Sequence, residues 1–266
     1  MTPVEIHRGN RPVVLGLPHT GTFVPDDIFA QLNDRGRGLD DTDWHIHDLY
    51  DGVLPGASTV RATFHRYVVD ANRDPSGASL YPGQNTTGLV PLTDFDGHDI
   101  WSVPPADKDI ELRRRTFHAP YHAALWAELQ RVRDIHGVAI LYDCHSIRSN
   151  IPFLFDGTLP DFNIGTNLGT TCAPEIERAT ADICAAADGY SSVINGRFKG
   201  GWTTRHYGKP ADNIHAIQME LAQSTYLTKE SAPWAYDHAN SPRLRADLTA
   251  IRTTLADLAP TRGGSK

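Results

Sequence analysis

The chain has little cysteine. Its three thiols, Cys144, Cys172 and Cys184, make an odd set with no CxxC pair among 266 residues. That excludes a disulfide framework and points to reduced thiols. It also lacks any run of about 18 apolar residues, so no transmembrane helix is expected. The opening MTPVEIHRGNRP lacks the apolar stretch of a secretory signal, and the expected location is the cytoplasm. Positive charge is in deficit: 25 Lys and Arg against 32 Asp and Glu give −7. Nucleic-acid binding, which needs a concentrated basic surface, is therefore not expected. The deficit leaves room for an anionic small substrate, because a local arginine cluster can oppose the global sign. No HExxH and no GxSxG elbow occurs. Neither an internal repeat nor a low-complexity linker is found.

What is present suits one α/β domain over 1–266. Apolar residues make up 40% and charged residues 21%, which permits a sizeable core and argues against global disorder. Thirteen histidines, spread along the chain, are many for this length. Apolar runs alternate with helical patterns, the signature of a layered α/β fold. Strands are expected over 13–17, 59–64, 67–70, 138–142, 191–194 and 215–221. Helices are expected over 40–52, 108–136 with a kink or break at Pro120, 174–187 and 243–258. The tail 261–266 is expected to fray. Two long irregular segments, 72–105 and 146–171, each begin directly after a strand. Ligands in open α/β sheets bind beyond the carboxyl ends of strands, so both segments read as functional loops.

The candidate chemistry gathers at those strand ends. His19 follows the 13–17 strand, and Gly21 behind it allows close backbone approach. His145 follows the 138–142 strand. Two imidazoles at the same end of two buried strands can converge, and with one carboxylate they make an open catalytic metal site. Asp43 is the carboxylate candidate; Asp40, Asp41, His45 and His47 are rivals beside it. Asp143 suits a group that orients His145. Glu220 lies within the apolar strand 215–221, where burial raises a carboxyl pKa toward the range of a general base. Against these stand ordinary alternatives: a hydrogen-bonded turn histidine, a helix-capping aspartate, a strand-edge glutamate facing solvent. The loop arginines Arg73, Arg148 and Arg205 suit bidentate carboxylate recognition or oxyanion stabilisation, and each alone suits a structural ion pair as well. Cys144 reads as a buried strand-end residue.

Seven segments in order resemble the N-formylglutamate amidohydrolase family: LPHTGTFVP (17–25), DDTDWHIHDLYDG (40–52), VVDANRDPSGASLYPGQNTTGLVPLT (68–93), LYDCHSIRS (141–149), NLGTTCAP (167–174), NGRFKGGWTTRHYGKP (195–210) and IQMELAQSTYL (217–227). The ordered set spans most of the chain. The resemblance implies a three-layer α/β/α fold with a mixed central sheet, similar to zinc carboxypeptidases (phosphorylase/hydrolase-like). It implies hydrolysis of N-formylglutamate to glutamate and formate, a late step of histidine degradation. It further implies one divalent metal ion, zinc by donor set, on His19, Asp43 and His145, with cobalt, iron or manganese as other occupants. Glu220 matches the catalytic glutamate, and Asn72–Arg73 resembles a pair that binds substrate carboxylate. In that scheme Arg205 or Arg148 holds the oxyanion, and a second arginine joins Arg73 on the dicarboxylate. The competing readings are a related metallo-amidohydrolase for another N-acyl amino acid or a short peptide, a non-catalytic binding protein of the same fold, and, more distantly, a serine or cysteine hydrolase.

Overall fold

A computed structural model describes residues 2–80 and 85–262, with the backbone alone for 260–262. The frayed tail expected over 261–266 lies outside the described residues, save for the helical backbone of its first two. Seven strands form one mixed sheet: β1 (Val4–His7), β2 (Val13–Leu17), β3 (Ser58–Ala62), β4 (Ala139–Ile147), β5 (Phe162–Gly165), β6 (Ser192–Ile194) and β7 (Ile214–Ala222). Their order is β1-β3-β2-β4-β7-β5-β6. The central strands β3, β2, β4 and β7 run parallel. Outside them, β1 is antiparallel to β3 and β5 antiparallel to β7.

Side chains alternate across a strand, and here each alternate set meets helices. Val13, Leu15, Ile140, Tyr142, Ile217 and Met219 pack with α3 (Ile46–Tyr50), α6 (Pro174–Ala186) and α8 (Ser241–Arg262). Val14, Leu141 and Ala216 pack on the opposite face with Tyr121, Leu125 and Leu129 of α5 (Ala119–His136). The expected three layers with a mixed sheet are therefore present. Shorter helices are α1 (Asp26–Phe29), α2 (Asp34–Arg37), α4 (Asp107–Arg113) and α7 (Trp202–Tyr207). Among the described residues no helix is long and apolar enough to cross a membrane.

Several expectations are corrected. Only Ile46–Tyr50 of the expected 40–52 helix is helical. The residues before it turn through left-handed Leu39 and His45, at φ 52 and 56, and Asp43 N–H donates to the His19 carbonyl at 3.1 Å. Residues 67–70 are buried but are not a strand: Tyr67 and Val68 lie in a turn and Val69 and Asp70 are irregular, with Val68 N–H donating to His65 and Asp70 N–H to Leu89. Pro120 does not break the helix. A π turn at Arg114–His118 accommodates its missing N–H, and α4 runs through that turn into α5. Strands β1 and β5 and helix α7 were not foreseen; β5 falls inside the segment read as the second loop.

Candidate active site

The chain leaves β2 for β3 on one side and leaves β4 for β5 on the other, across β7. Adjacent parallel strands whose connections diverge open a crevice at their carboxyl ends. His19 lies just beyond β2, and His145 is the seventh residue of β4, paired in register with Glu220 of β7. Gly21 lets this turn close, since a Cβ there would meet the Thr63 backbone at 2.3 Å.

Three atoms face one another. Asp43 Oδ2 lies 3.8 Å from His19 Nδ1 and 3.5 Å from His145 Nδ1. All three side chains are buried, and their donor atoms sit within 4.8 Å of one another. Donors about 2.0–2.1 Å from a tetrahedral zinc stand roughly 3.3 Å apart, so this spacing is near that of a seated ion. The far nitrogens face carboxylates. His19 Nε2 donates to Asp70 Oδ1 at 2.7 Å, and His145 Nε2 lies 3.1 Å from Asp143 Oδ1. That arrangement turns each Nδ1 toward Asp43, as oriented metal-ligand histidines require. His19 Nδ1 is buried without a hydrogen-bond partner among the described residues. An orphaned, inward-facing imidazole nitrogen between a carboxylate and a second histidine fits a divalent cation.

The charges fit as well. Asp43, Asp70, Asp143 and Glu220 are all buried, with Arg66 buried among them and donating to Asp43 Oδ1 at 2.6 Å. Burial, then the Arg66 charge, pushes the His19 pKa down to about 4, leaving a lone pair for ligation. Burial opposes charge on His145, yet Asp143, Asp43 and Glu220 hold its pKa well above the ordinary value. A positive charge is thus favoured at the place a cation would occupy. Burial raises Glu220 to about 7, with Asp43 adding to the rise and His145 opposing it. Gln218 Nε2 donates to Glu220 Oε2 at 3.0 Å. Glu220 is therefore buried, oriented and of a pKa suited to proton transfer near neutrality.

The rivals of Asp43 are engaged elsewhere. Asp41 accepts from Tyr67 Oη at 2.8 Å and Phe95 N–H at 3.0 Å. His45 binds Asp48 and the Trp234 carbonyl. His47 faces Asp48 at 3.6 Å. Asp40 is half-buried, outside the cluster.

A cavity opens on this cluster. Its walls include His19, Arg66, Asn72, Arg73, His145 and Glu220, with Thr87 and Phe95 from the first long loop, Leu154 from the second, and Arg197 and Phe198 from the turn before α7. Asn72 Oδ1 accepts from Thr203 N–H at 2.8 Å, and its Nδ2 lies 3.2 Å from His145 Nε2. Gly201 makes room for it, since a Cβ there would meet Asn72 Nδ2 at 2.3 Å. Arg73 donates to Thr87 twice, from Nε to the carbonyl at 2.9 Å and from Nη2 to Oγ1 at 2.8 Å. Arg148 and Arg205 do not line the cavity. Arg148 faces Asp96 at 3.0 Å, and Arg205 Nε donates to the Gly200 carbonyl at 2.8 Å. Asp70, Arg66 and Arg197 were missed by sequence reading. Charged residues inside the apolar run TFHRYVVDA (63–71) were the available signal for the first two, the same signal that singled out Glu220.

Comparison with known proteins agrees with this architecture. A sequence model of the N-formylglutamate amidohydrolase family matches residues 11–227. An N-formylglutamate deformylase of Pseudomonas aeruginosa is 46% identical over 260 residues, covering 96% of this chain and 94% of that protein. An N-formylglutamate deformylase of Pseudomonas putida is 47% identical over 236 residues, 88% of each. Among solved structures, N-formylglutamate amidohydrolase from Ralstonia eutropha JMP134 superposes with a TM-score of 0.82 at 25% identity, over 98% of this chain and 99% of that one. A protein from Agrobacterium tumefaciens shares the fold with a TM-score of 0.74 at 15% identity, over 97% and 96% of the two chains. With a family match across most of its length and relatives nearly half identical to it, the chain belongs to the N-formylglutamate amidohydrolase family.

Proposed function

We propose that this protein hydrolyses N-formyl-L-glutamate to L-glutamate and formate, using one divalent cation, zinc by donor type, held by His19, Asp43 and His145. The observation that carries the reading is the convergence of His19 Nδ1, His145 Nδ1 and Asp43 Oδ2 beside a cavity that His19, His145, Glu220, Arg66, Arg73 and Arg197 line. The names of the two Pseudomonas relatives supply the substrate. A cation in this donor set acts as a Lewis acid, acidifying water and polarising a carbonyl oxygen.

The chain's own residues do the rest. Ionised Glu220 accepts a proton from the water as its oxygen adds to the formyl carbon. The C–N bond then breaks, and the proton on Glu220 passes to the departing amine. Gln218 keeps the carboxylate aimed by donating to its Oε2. Arg66 neutralises Asp43 from behind. Arg73 and Arg197 reach the cavity from different loops, and they are assigned the two substrate carboxylates, which fixes the amide over Glu220. Because Arg148 and Arg205 lie off the cavity walls, Arg197 takes the place of the second arginine. Phe95, Leu154 and Phe198 line the cavity and help exclude bulk water.

The test is formate release by purified, zinc-loaded protein from N-formyl-L-glutamate and N-formyl-L-aspartate, with acetate release from N-acetyl-L-glutamate alongside. Strong preference for N-formyl-L-glutamate is expected. Preference for another acyl amino acid would keep the chemistry and replace the substrate. Inactivity on all three with metal bound would overturn the reading.

A further inference from the structure

The segment Asp70–Arg73 carries three site functions within four residues. Asp70 holds His19, Asn72 stands against His145, and Arg73 enters the cavity. It is a turn, not a strand, so no sheet ladder fixes it. Two of its carbonyls are held by histidines one helical turn apart. His122 of α5 donates from Nε2 to the Ala71 carbonyl at 2.8 Å. His118, the last residue of the π turn, donates from Nε2 to the Arg73 carbonyl at 3.0 Å. A carbonyl only accepts, so both rings must carry hydrogen on Nε2. The acceptors flank Asn72 on either side.

The rings themselves are locked. Their centroids are 4.3 Å apart, and Trp202 packs against both, at 5.7 Å from His118 and 4.8 Å from His122. His122 Nδ1 lies 3.0 Å from Tyr207 Oη. Trp202 and Tyr207 belong to α7, whose Thr203 N–H takes the Asn72 side chain. Helices α5 and α7 therefore grip the segment from two directions, one through its carbonyls and one through Asn72. Arg113, just before the π turn, stacks over Trp101, while His118, its last residue, faces residue 73.

We infer that His118 and His122 are positioning residues, a backbone clamp that holds Asp70–Arg73 in the shape the active site needs. Neither touches the reacting atoms. Their consequence for substrate affinity rests on the proposed role of Arg73.

His118→Leu removes one donor while filling its space, and His118→Gln restores an N–H near the Nε2 position. In the metal-loaded protein, amide hydrogen exchange across residues 70–73 should rise about tenfold in the leucine variant, the scale of one lost hydrogen bond, and return toward wild type with glutamine. KM for N-formyl-L-glutamate should rise about three- to tenfold in the leucine variant with kcat within threefold, again restored by glutamine. Should leucine prevent folding, His118→Asn, too short to reach the carbonyl, replaces it. Unchanged exchange in the folded variant overturns the clamp whatever the substrate. Raised exchange with an unmoved KM keeps the clamp and overturns the role given to Arg73.

Discussion

The two faces of β4 and β7 are equally dry and chemically opposite. On one, Asp143, His145, Gln218 and Glu220 stand in a row, none more than 7% exposed. On the other, Tyr142, Cys144, Met219 and Leu221 join the apolar cluster under α8. Alternation places them one residue apart on the same strands. The apolar face gains from burial in the ordinary way. The polar face is costly to bury unless each group is paired, and nearly every group there is held by another. Without a hydrogen-bond partner among the described residues are Asp143 Oδ1 on this face and His19 Nδ1 and Asp70 Oδ2 beside it, and with the raised Glu220 they mark where reactivity resides. The apolar face holds one charge of its own, Arg252, wholly buried, with both terminal guanidinium nitrogens unpaired among the described residues. Its guanidinium lies over the rings of Tyr50 and Tyr142, at 4.6 and 5.7 Å. A charge kept by ring faces should matter to stability alone, whereas those on the polar face should matter to chemistry.

The largest effect should come from His145→Ala. Bound metal, measured by elemental analysis, should drop below stoichiometric and turnover should fall to background; full metal occupancy would remove His145 from the ligand set. Next is Glu220→Gln. Metal should stay while kcat falls by about 10²–10⁴, and wild-type turnover would remove Glu220 as the base. The same variant has a second signature. The Glu220 pKa stands at about 7 in the fold against an ordinary 4.5, so its contribution to stability is intact below pH 4.5 and is lost as pH rises through 7. Compared without metal, the Glu220→Gln protein should gain on wild type as pH rises from 5 to 8, by up to about 3 kcal/mol, seen as several degrees in Tm. A gain on the acid side instead would contradict the raised pKa.

Arg197→Met should be smaller and selective. KM for N-formyl-L-glutamate should rise about 10- to 100-fold, while kcat/KM for N-formyl-L-glutamine, with one carboxylate fewer, changes little. Equal losses on both substrates would remove Arg197 from the side-chain carboxylate, leaving it the α-carboxylate or a structural place. The smallest effect belongs to Arg252→Met. Replacing a buried charge held by ring faces and by one Nε bond to the Leu248 carbonyl should raise stability by about 1–2 kcal/mol in a denaturant titration with KM unmoved. A large loss of stability would show that the tyrosine rings hold that charge better than an apolar side chain fills its place.

Much of this was legible in sequence. Val13–Leu17 and the strand ending at DCHS read as buried strands because both their faces are apolar, and that marked the ends at which to seek His19 and His145. Glu220 stood out as a carboxylate in an apolar run. Asp70 and Arg66 did not, because YVVD suggests a strand and in the structure is a buried turn and irregular stretch, with Val68 N–H bonded to His65 and Asp70 N–H to Leu89. Periodicity cannot separate those two. Nor can it say where an arginine points. Arg148 and Arg205 follow motif segments as closely as Arg197 does, yet one turns to Asp96 and the other to the Gly200 carbonyl. The helix expected over 40–52 begins only after left-handed His45; there, and at left-handed Leu39 just ahead of the expected start, the chain bends to bring Asp43 beneath His19. Local propensity gave way there to the geometry of the site.

The measurement that bears most directly on the metal centre is a zinc titration of chelator-treated protein, following bound metal and formate release from N-formyl-L-glutamate together. The expected result is no turnover without metal, and recovery that reaches its plateau at one ion per chain. Full turnover in protein shown to be metal-free would contradict the assignment of His19, Asp43 and His145 as the ligands of a catalytic ion.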